Sequence, residues 1–125
     1  MTQQTSQSSQ TPDDCLFCRI AAGDLPAELV AQTELSVAFR DISPLAPVHI
    51  LVVPRRHVPS VGALASASAA DLADVFRLAQ QVAEQEGVGD AHRLIANTGA
   101  GAGQTVFHAH VHVLAGEQLT ERSMV

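Results

Sequence analysis

The chain of 125 residues contains no lysine, no tryptophan and no tyrosine, so its seven basic side chains are all arginines. Without lysine, Schiff-base catalysis and a Walker-type phosphate lysine are both excluded. Thirteen acidic residues give a formal net charge of -6, which argues against a surface adapted to the nucleic acid backbone. The reactive groups that remain are histidine, cysteine, serine, threonine and the carboxylates, and any phosphate ligand must be bound at a local site.

The sequence also has no apolar run long enough to cross a membrane. Its longest aliphatic cluster, His49 to Pro54, has the length of a strand. The N-terminus lacks the basic and apolar stretches of a signal peptide, and we expect residues 1–13 to form a disordered tail. We expect a cytoplasmic protein with its two cysteines reduced, no membrane partner, and a single domain over residues 14–125.

Hydrophobic periodicity predicts an α+β fold with a mainly antiparallel sheet. The long helix is expected to begin at Ser68, because Ser68 and Asp71 resemble a capping box, and to end near Gly87. The other predicted elements are a short helix over 15–22, a hairpin of strands 29–32 and 36–40, strands over 49–53, 93–96 and 106–114, and a glycine-rich loop over 97–103.

The segment FHAHVHV, Phe107 to Val113, places three of the six histidines at alternate positions. In a strand these imidazoles would share one face, with neighbours about 6.8 Å apart. A neutral imidazole can act as a base and as a nucleophile toward phosphorus, and backbone amides of the preceding glycine loop could orient a phosphate. The pattern therefore favours a reaction centre for a phosphate ester or amide.

Other readings of these residues stay open. A single buried histidine is most often a hydrogen-bonded core residue, although three in register would each need a buried partner. Histidines two residues apart on a strand can also share a zinc ion. The glycine loop is a weak signal, and it is not a dinucleotide-binding fingerprint because a strand follows it.

The pattern from His108 to Leu114 resembles the signature of the histidine triad (HIT) superfamily. Four further segments match the Hint-like branch of that superfamily in order and spacing, and the resemblance covers about residues 14–119. These segments are Cys15 to Ile20, Phe39 to Pro44, His49 to His57, and Asn97 to Val106.

The resemblance implies a five-stranded antiparallel sheet with one long helix and a short N-terminal helix, paired as a homodimer into a ten-stranded sheet. It implies a hydrolase that cleaves purine nucleoside 5′-phosphoramidates or related nucleotide conjugates through a covalent nucleotidyl-histidine intermediate, releasing AMP or GMP. The alternatives are a dinucleoside polyphosphate hydrolase, a nucleotidyl transferase, and a non-catalytic nucleotide-binding or interaction module.

By position, the resemblance makes His110 the nucleophile and His112 a phosphate contact that assists proton transfer. His49 and His108 are supporting residues, and the Thr105 hydroxyl contacts the leaving group. Asp41 is expected to bind the ribose hydroxyls as a bidentate acceptor. The remaining expected nucleotide contacts are Asn97, Gly103, Gln104, Thr105 and Val106 at the phosphate, and Phe17, Ile20, Phe39, Ile42 and Leu51 around the purine.

Two features differ from the Hint pattern or extend it. The C-terminal segment from Ala115 has an acid in place of an arginine and no tryptophan, which leaves the leaving-group preference open. Cys15 and Cys18 form a C-x-x-C pair, and related proteins imply a structural zinc ion held by Cys15, Cys18, His49 and His108, with no cofactor required for catalysis. The alternative is that both cysteines are small buried residues.

Overall fold

The computed structural model describes residues 14–120, so the expected disordered tail, residues 1–13, lies outside the described residues. Within this range no helix is long and apolar enough to span a membrane. The helices are α1 (Leu16–Ala21), α2 (Val61–Ala67) and α3 (Ala69–Gln85), with one 3-10 turn (Ala100–Ala102). The strands are β1 (Leu29–Gln32), β2 (Ser36–Arg40), β3 (Val48–Pro54), β4 (Arg93–Ile95) and β5 (Val111–Ala115).

The five strands form one antiparallel sheet in the order β1-β2-β3-β5-β4, which confirms the expected fold class. All seven residues of the central strand β3 are buried, as expected for a strand covered on both faces. In its register Leu51 lies opposite Phe39 on β2 and opposite His112 on β5. These three residues therefore share one face of the sheet.

The two faces of the sheet are covered differently. One face packs against α2 and α3 through a core that includes Ile50, Val52, Leu64 and Val82. The other face packs against the short helix α1 through a smaller cluster of Cys15, Phe17, Ile20, Val37, Phe39, Leu51 and Val53. Because α1 is only six residues long, it leaves part of this second face open as a pocket.

The predicted start of the long helix is confirmed, since Ser68 is the N-cap of α3. The Ser68 Oγ accepts a hydrogen bond from the Asp71 amide at 3.1 Å and donates one to Asp71 Oδ1 at 2.9 Å. Arg56 Nε donates to the other carboxylate oxygen of Asp71 at 2.9 Å. The capping box thereby also ties the helix to the segment that follows β3.

Helix α2 was not predicted, because Leu64 is its only buried residue and an alanine-rich segment with one buried position has no apolar period. The last strand was predicted from residue 106 but begins at Val111. In the register of β3 and β5, Ala109 would lie opposite Pro54, which has no amide proton to donate. Ala109 donates instead to the Val58 carbonyl at 2.8 Å, and His108 and His110 therefore precede the strand.

Candidate functional site

A pocket of about 360 Å³ opens on the α1 face of the sheet. This volume is in the range of small-molecule binding sites. The residues that line it come from α1, the strands β2, β3 and β5, and the loops on either side of them. They are Leu16, Phe17, Ile20, Pro26, Ala27, Phe39, Arg40, Asp41, Ile42, Leu51, Thr105, Val106, His110 and His112.

One wall of the pocket is apolar and reaches the histidines directly. The Phe17 ring packs edge-on against Phe39, with ring centroids 5.5 Å apart, and edge-on against His110 at 5.0 Å. Ile42 lies at the mouth of the pocket and is 96% exposed, so its apolar side chain contributes little to the core. An apolar slot open at one side suits a planar heterocyclic base.

Asp41 supplies the acidic group of the pocket. Its Oδ1 accepts a hydrogen bond from the Ser43 amide at 2.7 Å, and its Oδ2 lies 3.5 Å from His49 Nε2. The carboxylate is half-buried at the end of β2, so its orientation is set by the turn that follows the strand. A fixed carboxylate beside an apolar slot is the acceptor expected for sugar hydroxyls.

His110 lies at the centre of the pocket and has a defined tautomer. Its Nδ1 is 2.7 Å from the His108 carbonyl, and since a carbonyl only accepts, Nδ1 carries the proton. A neutral His110 then has an unprotonated Nε2, the nitrogen required for nucleophilic attack. Burial lowers the pKa of His110, and this outweighs the opposing effects of the His108 carbonyl and Asp41, so the ring stays neutral near pH 7.

His112 lies beside His110, with ring centroids 5.0 Å apart. Its Nδ1 is 2.9 Å from Nε2 of His49, which is buried on the neighbouring strand β3. Burial, together with the nearby His110 and His49, lowers the pKa of His112 to about 4. Burial also lowers the pKa of His49, against the opposing effect of Asp41.

The loop before the histidines is organised by Gln104, whose side chain is 4% exposed. Its Oε1 accepts from the Gly99 amide at 2.8 Å, and its Nε2 donates to the carbonyls of Pro59 and Val106 at 2.7 and 3.0 Å. The amides of Gly103 and Gln104 donate within the loop to Ala100 and Gly99. Among residues 14–120 the amides of Thr105 and Val106 have no hydrogen-bond acceptor, so these two are available for an anionic ligand.

The pocket thus brings together ten of the residues expected at a catalytic or nucleotide site. Asn97, Gly103 and Gln104 are not among the residues that line the pocket, and the Gln104 side chain bonds within its own loop, so their contact with a nucleotide stays a prediction. His49 and His108 do not line the pocket, but each contacts a histidine that does. His49 Nε2 lies 2.9 Å from His112 Nδ1, and the His108 carbonyl accepts from His110 Nδ1. Sequence reasoning missed Leu16, Pro26, Ala27 and Arg40; of these, only Leu16 had a signal, because it lies four residues before Ile20 on α1.

A second cluster lies behind His110 and consists of Cys15, Cys18, His57 and His108. Nδ1 of His108 is 3.4 Å from each cysteine Sγ and 3.2 Å from Nδ1 of His57, which is itself 3.2 Å from the Cys18 Sγ. Zinc–sulfur and zinc–nitrogen bonds in a tetrahedral site place neighbouring ligand atoms about 3.3 to 3.8 Å apart. The four donors are therefore close to the spacing that a zinc ion requires.

The protonation state of this cluster is also compatible with a bound cation. The Pro54 carbonyl lies 2.7 Å from His108 Nε2 and fixes the proton there, so Nδ1 directs a lone pair at the cysteines. Burial and the neighbouring Cys15 raise the pKa of the Cys18 thiol to about 12, since two adjacent thiolates without a cation are unfavourable. A divalent cation between these atoms would favour the thiolates.

The expected metal ligand set is corrected at one position, because the structure places His57, and not His49, beside the cysteines. His49 lies five residues before Pro54, which is about 16 Å along an extended strand. Its imidazole contacts His112 and Asp41 at the other end of the pocket. His57 lay within the segment that carried the family resemblance, so its position was visible in the sequence while its contact with the cysteines was not.

Comparisons with known proteins agree with this geometry. Residues 22–119 match the model of the family described as the HIT domain. The purine nucleoside phosphoramidase of Escherichia coli strain K12 is 40% identical over 108 residues, which cover 86% of this chain and 91% of that protein.

Two solved structures have the same fold. A HIT family hydrolase from Clostridium thermocellum superposes with a TM-score of 0.85 at 38% identity, covering 91% of this chain and 100% of that one. A HIT family hydrolase from Legionella pneumophila superposes with a TM-score of 0.82 at 38% identity, covering 86% and 97% of the two chains. With its histidine pattern, its sheet and these relatives in agreement, the chain belongs to the HIT family.

Proposed function

We propose that this protein hydrolyses the bond between the α-phosphate of a purine nucleoside 5′-phosphoramidate, or a related nucleotide conjugate, and its leaving group. The observation that carries the proposal is the unprotonated Nε2 of His110, fixed by the bond from Nδ1 to the His108 carbonyl and located in the pocket. A pure binding site would have no need of a nucleophile at this point.

The rest of the pocket supplies a partner for each part of such a substrate. The apolar wall around Phe17 and Phe39 suits the purine, and the Asp41 carboxylate suits the ribose hydroxyls. The free amides of Thr105 and Val106 suit two phosphate oxygens beside His110.

In the first step His110 Nε2 attacks the α-phosphorus, and the bond from phosphorus to the leaving nitrogen breaks as that nitrogen takes a proton from solvent. In the second step water attacks the same phosphorus and the new phosphorus–nitrogen bond breaks. The products are an amine and a nucleoside monophosphate, and His110 regains its unprotonated Nε2.

The relatives support the same reaction class. The Escherichia coli relative is named a purine nucleoside phosphoramidase, and the two structural relatives are described as hydrolases. Each of these proteins is matched over more than 90% of its own length.

Mass spectrometry of enzyme quenched during turnover of adenosine 5′-phosphoramidate tests the proposal. We expect a peptide that contains Phe107 to Val113 and carries one adenylyl group on His110. Turnover without any such adduct, in a rapid-quench series that spans the first catalytic cycle, would contradict the covalent mechanism. A parallel assay with a dinucleoside polyphosphate and with a nucleotidyl acceptor decides between hydrolysis of an amide, hydrolysis of an anhydride and nucleotidyl transfer.

We also propose that Cys15, Cys18, His57 and His108 bind a structural zinc ion. The spacing of the four donor atoms and the lone pair on His108 Nδ1 support this donor set. When bound, the ion would cross-link α1 to the segment that contains His110, and it would take no part in the hydrolysis.

A homodimer is proposed on the family resemblance, with support from one feature of the sheet. Strand β4 is at the edge of the sheet and Leu94 within it is 37% exposed. An exposed edge strand can pair with the same strand of a second copy. Light scattering coupled to size-exclusion chromatography tests this, since a mass near 26 kDa is expected for two chains of 13.1 kDa.

A further inference from the structure

Arg55, the residue after β3, connects helix α1 to the turn between β1 and β2. Its NH1 donates at 2.8 Å to the carbonyl of Ala21, the last residue of α1. Its Nε and NH2 both donate to the Thr33 carbonyl, at 3.2 and 3.1 Å, and NH2 also donates to Gln32 Oε1 at 2.8 Å. One planar guanidinium therefore bridges two separate segments of the chain.

The Thr33 end of this bridge is fixed by the rest of the fold. The Thr33 amide donates to the Ser36 carbonyl at 2.8 Å across the turn, and Thr33 Oγ1 donates to Asp74 Oδ2 on α3 at 2.6 Å. The Arg55 amide donates to the Leu35 carbonyl at 2.8 Å. The guanidinium therefore extends to α1 from a region that is bonded to the hairpin and to α3.

Helix α1 depends on contacts of this kind, because six residues are too few for a helix to be stable alone. Three of its carbonyls accept from the amides of residues 22–24, whereas the Ala21 carbonyl accepts from Arg55. The two cysteines of the proposed zinc site lie at or near the beginning of α1. Arg55 is accordingly the polar anchor at the opposite end of the helix.

The position of α1 sets the shape of the apolar slot. Ile20 directly precedes Ala21, the residue that Arg55 bonds, and both Ile20 and Phe17 are buried against the sheet. A shift of the end of α1 would therefore change the width of the slot. Arg55 itself is not among the residues that line the pocket. The lining residues from α1 and the segment after it are Leu16, Phe17, Ile20, Pro26 and Ala27.

We propose that Arg55 is a positioning residue for the purine slot: by bridging the Thr33 and Ala21 carbonyls it sets the distance of α1 from the sheet, and with it the affinity for the base. This inference rests on the proposed function and adds to it a residue outside the pocket. Because Arg55 acts through α1, it affects binding of the base and not the contacts of the ribose and phosphate. A residue with a purely stabilising role would affect all parts of the ligand alike.

Calorimetry with AMP and with ribose 5-phosphate tests the proposal, because these ligands differ in the presence of the base. The ratio of their association constants is the base increment. Arg55→Met keeps an aliphatic stem and removes every hydrogen-bond donor of the side chain. We expect the base increment to fall about 10-fold in this variant, with the affinity for ribose 5-phosphate unchanged. An equal base increment in wild type and variant would overturn the proposal.

The neighbouring Arg56 provides a matched control. Its Nε donates to Asp71 in the capping box of α3, which packs on the other face of the sheet. Arg56→Met thus removes the same chemical group without affecting α1. We expect a lower melting temperature and a wild-type base increment. A fall in the base increment as large as in Arg55→Met would reveal a general loss of stability and contradict the role of Arg55.

Hydrogen exchange measures the attachment of α1 directly. In Arg55→Met the amides of residues 22–24, which bond to carbonyls of α1, should exchange about 10-fold faster than in wild type. In Arg56→Met the amides of Asp71 and Leu72 at the start of α3 should respond instead. Unchanged exchange at the end of α1 in the Arg55 variant would refute the bridge. If Arg55→Met does not fold, Arg55→Gln gives the same comparison, since its shorter side chain cannot bridge both carbonyls.

Steady-state kinetics with adenosine 5′-phosphoramidate give a further readout. In Arg55→Met we expect KM to rise about 10-fold with a smaller change in kcat, because the nucleophile and the phosphate-binding amides are retained. A fall in kcat at an unchanged KM would contradict a role in binding the base.

The two proposals fail separately in these experiments. Wild-type protein that binds neither AMP nor ribose 5-phosphate would contradict the proposed function, and the purine slot with it. A base increment that is present in the wild type and retained in Arg55→Met would contradict the role of Arg55 alone.

Discussion

Removing the proposed zinc ion from Cys15, Cys18, His57 and His108 should lower the free energy of unfolding substantially. The four ligands come from three segments, and His108 is 93 residues from Cys15 along the chain. An unfolded chain keeps only the C-x-x-C pair close together, so it binds zinc far more weakly than the folded protein does. Zinc binding is therefore linked to folding.

The size of the effect follows from that linkage. At a free zinc concentration 1,000-fold above the dissociation constant, binding to the folded state stabilises it by about 4 kcal/mol. For a domain of this size each kcal/mol moves the melting temperature by roughly 4 °C, so we expect a fall of about 15 °C on chelation.

A local effect on the pocket is expected as well. Helix α1 has six residues, which is too short to be stable without its tertiary contacts. It contains Cys18 together with Phe17 and Ile20 of the apolar wall, and Cys15 is its N-cap. Loss of the ion should therefore raise KM for a purine substrate.

The assay is thermal unfolding followed by circular dichroism, with and without a chelator, together with the zinc content per chain from elemental analysis. The control is the double variant Cys15→Ser/Cys18→Ser, whose melting temperature should already be low and should not respond to the chelator. Metal-free purified protein whose melting temperature is unchanged by added zinc would refute the reasoning. So would an equal response to the chelator in the double variant.

Three further predictions concern single side chains. His110→Ala should lose turnover by several orders of magnitude with little loss of nucleotide affinity, as measured by steady-state kinetics and calorimetry; His92→Ala, whose ring bonds to the Val88 carbonyl outside the pocket, is the control and should keep wild-type turnover. Asp41→Ala should weaken ribonucleotide binding and reduce the preference over deoxyribonucleotides, whereas the exposed Asp24→Ala should not; unchanged discrimination would place the sugar elsewhere. Asp71→Asn should lower stability near pH 7 by about 1 kcal/mol, because hydrogen bonds from Arg56 and Ser68 hold the pKa of Asp71 below its ordinary value. That contribution is present above the unfolded-state pKa of about 4 and is lost as the pH falls through the lower folded-state pKa, so urea titrations of wild type and variant should converge in acid; a difference that persists there would contradict the assignment.

Local patterns in the sequence were sufficient for most of the fold. The hairpin strands β1 and β2 have the predicted bounds, and the N-cap Ser68 is where the capping box predicted it. These features depend on residues a few positions apart, so a short window of sequence contains the whole interaction. Helix α2 and the late start of β5 depend on packing and on the register with Pro54, which no short window contains.

The sequence by itself determined the family, the fold class and the candidate nucleophile, because the alternating histidines and their flanking segments form a contiguous pattern. Only the tertiary structure decided which histidine joins the cysteines, since His57 and Cys18 are 39 residues apart and meet where β3 ends beside α1. It also decided the tautomer of His110, whose Nδ1 faces a backbone carbonyl. A proton on a ring nitrogen depends on the atom opposite it in space, and that atom is known only once the chain is folded.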